Sequence, residues 1–108
     1  MGFAAITGRA TQKMNSNPIL FRAYDKEGQE ISVDQFFNAH PNFINDKKVR
    51  KQAIRILKLL VRHPDDLHYF TDSYGDSRSF SVSGNCTYII IFKYENNYID
   101  LMDILNFD

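Results

Sequence analysis

The chain has 108 residues, 13 basic against 13 acidic, and a net charge of zero. That length suits one domain with its own core, and neutrality excludes the strongly basic balance of a dedicated nucleic-acid-binding domain. A single cysteine, Cys86, excludes an intrachain disulfide and fits a reducing compartment, and no apolar run has the length of a membrane span.

Residues 1–18 lack periodicity and end in Asn15-Ser16-Asn17-Pro18, so they are expected to form an N-terminal arm ahead of a single domain over 19–108. Phe3 to Ile6 is too short for the apolar core of a secretory signal. The expectation is a cytoplasmic protein without membrane contact. Nine Phe and six Tyr with no Trp favour a β-rich core, because aromatic side chains fit a pleated, half-buried surface.

Ile19 to Tyr24 reads as a strand. Asp25 to Gly28 reads as a turn, with Gly28 free to take a positive φ, and Glu30 to Val33 as the returning strand. Asp34 is a candidate cap for a short helix over 35–39, stopped by His40-Pro41. Asn45 is the next candidate cap, and a long helix is predicted over 46–62. Val49, Ala53, Ile56 and Leu60 form its apolar stripe, and Ile54, Leu57 and Val61 widen the buried side. Lys48, Lys51, Arg55, Lys58 and Arg62 step along another face. His63-Pro64 stops this helix.

After a loop over 65–76 the period changes to two. Arg78 to Val82 reads as a strand, Ser83-Gly84-Asn85 as a tight turn, and Cys86 to Tyr94, apolar on both faces, as an interior strand. Glu95-Asn96-Asn97 is a second turn, since Asn tolerates the left-handed region. Tyr98 to Leu105 is the last strand, although Tyr98, Leu101, Met102 and Leu105 also suit a short helix. The predicted class is α+β: an antiparallel sheet with a C-terminal three-strand meander, packed against one long basic helix and a short helix.

Charge divides the chain. Residues 47–62 carry seven Lys or Arg and no acid, whereas residues 63–108 carry only Arg78 and Lys93 against eight acids. A basic row can track phosphates or meet an acidic protein surface. No P-loop, nucleophile elbow, dinucleotide fingerprint or zinc spacing occurs. His63, Asp65, Asp66 and His68 have ligand chemistry, but their spacing matches no metal signature. No metal and no cofactor is expected. Tyr69, Phe70, Tyr74, Tyr88 and Tyr94 are either base-stacking platforms or core and cross-strand fillers.

The stretch from Ser77 to Asn85, followed by Tyr88-Ile89-Ile90-Ile91-Phe92 and Ile99-Asp100-Leu101-Met102-Asp103-Ile104, resembles the RelE/ParE toxin superfamily. The likeness covers roughly residues 47–108. It implies a prokaryotic toxin-antitoxin protein that cleaves mRNA at the ribosome or poisons gyrase, and that is held by a cognate antitoxin. Such a nuclease needs a base, a cation at the phosphate and an acid at the leaving oxygen. The resemblance places Arg78 as a phosphate contact, and His68 is the candidate base in the loop that borders the family's active site. Ile89, or Thr87 in a shifted alignment, stands where the family has its phosphate-holding Arg. Asn106-Phe107-Asp108 stands where it has its catalytic His, Arg or Tyr. The alternative is a non-catalytic immunity or inhibitor protein that binds a protein partner through its basic helix, with Lys48, Lys51, Arg55, Lys58 and Arg62, and through its acidic sheet.

Overall fold

The computed structural model describes residues 18–107, so all but Pro18 of the expected N-terminal arm, and Asp108, lie outside the described residues. The strands are β1 (Leu20–Tyr24), β2 (Glu30–Ile31), β3 (Asp72–Tyr74), β4 (Ser77–Ser83), β5 (Thr87–Glu95) and β6 (Tyr98–Asn106). The α-helices are α1 (Val33–Asn38), α2 (Pro41–Ile44), α3 (Lys47–Arg62) and α4 (Leu67–Phe70), with a 3-10 turn over Pro64–Asp66 before α4. The class is α+β, as the periodicities predict.

One six-stranded sheet has the order β2-β1-β6-β5-β4-β3. β4, β5 and β6 form the antiparallel meander, and β5 is paired on both sides, as its apolar faces require. β1 pairs with β6 in parallel, Leu20 opposite Tyr98 and Ala23 opposite Leu101, which makes the sheet mixed. The helical alternative for 98–105 is not adopted. β6 lies between β5 and β1, and a strand there satisfies backbone groups on both of its edges.

Turn chemistry sets the register. Gly28 has φ +84° between β1 and β2, and Asn96 and Asn97, at φ 52° and 65°, join β5 to β6. The segment expected as a loop over 65–76 holds α4 and β3 instead. β3 pairs with β4 across a turn in which Gly75 takes φ +58°.

One apolar cluster fills the space between the helices and one face of the sheet. Phe80, Val82, Ile90, Phe92, Ile99 and Leu101 project from the strands. Val49, Ala53 and Leu60 of α3 meet them, joined by Phe36 of α1 and Phe43 of α2. Tyr88 belongs to this core, with its ring edge-on to Phe43 at 5.5 Å. Cys86 is only partly buried at the cluster's margin.

Three helix boundaries and faces differ from the sequence reading. Ser32, not Asp34, caps α1. Its hydroxyl accepts from Gln35 N–H while the Gln35 side chain accepts from Ser32 N–H, a reciprocal pair that Asp34, inside the first turn, cannot form. Asp46, not Asn45, caps α3. Ile54 and Val61, expected to widen the buried side, are 46% and 37% exposed, and Ile56 is half-buried. The physical reason is angular. At roughly 100° per residue, Val49, Ala53 and Leu60 point at the sheet, whereas Ile54 and Val61 lie on the flank, beyond the reach of the layer below.

Candidate interaction face and the predicted catalytic residues

α3 is built to be rigid. The Asp46 carboxylate accepts from the Lys48 and Val49 N–H groups through one oxygen and from the Asn85 N–H at 2.8 Å through the other. One side chain therefore caps α3 and fixes the β4–β5 turn. The Asn85 hydrogen bond is the main reason that the Asp46 carboxyl titrates below the usual carboxylate range; partial burial opposes it. Gly84 is needed for space: a Cβ there would stand 2.5 Å from the Asp46 carboxylate. Gln52 adds a second link, accepting from Ser83 N–H and donating to Ser83 C=O.

On this support the outward side of α3 carries two parallel rows. Lys51, Arg55, Lys58 and Arg62 follow one another at helical spacing, with Lys48 ahead of them, and none is ion-paired among the described residues. Arg50 is not part of the row, because its guanidinium donates to Ile44 C=O. Beside the cations lies an apolar groove of about 470 Å³. It is walled by Ile54, Leu57 and Val61 of α3 and by Phe21 of β1, Phe37 of α1 and Leu101 of β6, with Lys58 and Arg62 at its rim. A second hollow of about 290 Å³ shares Ile54, Lys58 and Arg62 with it and extends to Lys51 and Arg55. The cation row was legible from the helical period. The groove was not, because Phe21 and Phe37 reach it from elements whose placement local sequence does not fix.

The two predicted catalytic residues occupy other surroundings. Arg78 lies on β4 and its guanidinium is spent on neighbouring chain. Nε donates to Thr71 Oγ1 at 3.0 Å, one terminal nitrogen to Thr71 C=O at 2.7 Å, and the other to Ser73 Oγ at 3.1 Å. Thr71 Oγ1 in turn donates to Leu67 C=O. Arg78 thus ties the end of α4 to β3 and β4. His68, on α4, is exposed and lies against the Tyr69 ring at 4.2 Å. Among the described residues, no three His, Cys, Asp or Glu side chains converge as a metal site would need.

A further titratable group escaped the sequence reading, which took His40 only as a helix stop. His40 lies in a cleft of about 460 Å³ that also involves Tyr24, Lys26, Phe36 and Asp103. Burial lowers its imidazole below the ordinary range and Lys26 adds to this, while Asp103 pulls the other way. On the opposite side of the sheet from the helices, Arg22 grips Asp100 with two hydrogen bonds of 2.7 and 3.0 Å and lies 3.7 Å above the Tyr98 ring. Asp100 raises the guanidinium's pKa further above its ordinary value. This pair stitches β1 to β6.

No family model, curated protein or solved structure matches the chain. No described helix is long and apolar enough to cross a membrane.

Proposed function

We propose that this chain is a non-catalytic interaction protein that meets an acidic surface of a protein partner through α3. The observation that carries the reading is the union, on one rigid helix, of a cation row without internal counter-charges and an apolar groove beside it. Depletion of charge at the centre of a patch with charge at its rim is the anatomy of protein interfaces. A phosphate backbone would use the cations but gain nothing from an aliphatic groove. The three most exposed aromatics among the described residues, Tyr69, Phe107 and Tyr74, line neither the groove nor the hollow along the row, which weakens a base-stacking role.

The RelE/ParE-like reading rests on the likeness in sequence, with the basic helix α3 lying ahead of the β4–β5–β6 meander; the β1–β2 hairpin at the start and the added strand β3 are not part of that likeness. Fold alone carries no activity, and Arg78 already has three intramolecular acceptors.

The test compares wild type with the Lys51→Glu/Arg55→Glu variant for binding of proteins from the source cell. Expected is an acidic partner whose complex weakens with rising salt and is lost in the variant, with unchanged thermal stability. Cleavage of ribosome-bound mRNA by purified wild type, lost in Arg78→Ala or His68→Ala at retained fold, would replace this reading with the catalytic one.

A further inference from the structure

We propose that the groove beside α3 receives an acidic amphipathic helix of the partner, an inference that rests on the interaction reading above. The two rows on α3 define the ligand. Ile54, Leu57 and Val61 lie side by side on one flank, and Lys51, Arg55, Lys58 and Arg62 follow them round the helix. The cations span about 16 Å at 1.5 Å per residue, some three turns of a second helix laid alongside. Acids spaced three and four residues apart on such a helix would meet them in turn, with aliphatic side chains one flank over in the groove.

A helix suits the floor chemically. Phe21, Phe37 and Leu101 below the α3 flank offer almost no polar surface. An extended peptide pressed there would leave its inward backbone groups without partners, whereas a helix satisfies its own. Two other occupants fit less well. A second copy packed through the same face about a twofold axis would set cation row against cation row. A bilayer favours aliphatic groups that project, and here the apolar walls are concave, so they take an inserted side chain.

The experiment selects random peptides of about 15 residues, the length at which an isolated helix becomes viable, from a display library on the intact chain. Selected peptides are then titrated by calorimetry and mapped by amide shifts. Expected winners carry acids and aliphatics at helical spacing, lose binding when proline is placed mid-peptide, and shift Phe21, Ile54, Leu57 and Val61. Ile54→Ser and Val61→Ser should each weaken binding about tenfold. Both side chains are more than a third exposed, so the fold should persist, and the amide spectrum verifies it. Winners that lack acids, tolerate proline or map elsewhere overturn the inference. So does enrichment of no peptide, including the case in which vesicles of anionic phospholipid bind through the groove. The interaction reading fails separately. A partner complex sensitive to Lys51→Glu/Arg55→Glu but indifferent to Ile54→Ser and Val61→Ser leaves that reading standing and removes the helix.

Discussion

Single side chains decide much of this structure because several of them hold two elements at once. Asp46 is the strongest case, since its carboxylate serves both the first turn of α3 and the Asn85 N–H. Gly84→Val would push a side chain into that carboxylate, so a lower melting temperature is expected, with loss of the Asn85 amide's protection from exchange. Ser83→Ala, one residue away and exposed, keeps the backbone link to Gln52 and should change stability little. His40 predicts a pH effect with a definite sign. Its folded pKa lies below the ordinary 6.5, so the unfolded chain binds the proton more tightly. The stability due to neutral His40 is therefore full above pH 6.5 and is lost as pH falls through the lowered value. Melting temperatures measured downward from pH 7.5 should show this decline in wild type and not in His40→Gln. Asp46 has the same sign, but its loss comes at lower pH, below the usual carboxylate range. The helical period placed the start of α3 at residue 46, within one residue of its observed cap. It could not announce His40, whose partial burial, the main cause of its lowered pKa, arises in a cleft that also brings in Asp103 and Lys26 from elsewhere in the chain.

At the scale of elements, α3 shows where periodicity is sufficient and where it stops. Val49, Ala53 and Leu60 were legible as core because their spacing alone defines a face, and they are buried. Ile54, Ile56 and Val61 have equally apolar side chains, but their burial depends on how far the sheet and α1 extend beneath the helix. Leu60→Ala should therefore cost about 2–5 kcal/mol, as a large-to-small change in a packed core. Ile56→Ala should cost clearly less, and Ile54→Ala should fall within roughly 0.5 kcal/mol of neutral, as exposed positions do. Urea denaturation of the three variants gives the order directly. The strands were legible where alternation and turn residues agreed: Gly28, Asn96 and Asn97 each take the positive φ for which those residue types are suited. β3 was hidden, because its Asp72-Ser73-Tyr74 is exposed throughout and has no apolar alternation. It is a strand because β4 offers an edge and Arg78 holds it there. Of the candidate site, the cations were readable and the groove was not. The groove belongs to four elements at once, and no local pattern encodes their meeting.

At the scale of the molecule, the sheet order records which partners find each other late. The meander pairs neighbours in sequence, through short turns, and can form early. β1 instead pairs with β6, and the Arg22–Asp100 contact closes a span of 78 residues. Closing so long a span costs more chain entropy than any hairpin in the sheet. Until β1 arrives, the edge of β6 stands open, with Ile99 and Leu101 among its side chains. Open, apolar strand edges recruit strands from other chains. Removing residues 1–24 should thus give an associating product and not a smaller monomer, as light scattering would report. Arg22→Gln should move the full chain in the same direction, by loosening the late contact. The parallel seam between β1 and β6 is consequently a guard on solubility. Its strength sets how long each molecule, during folding or a transient opening, offers a neighbour the place reserved for its own first strand.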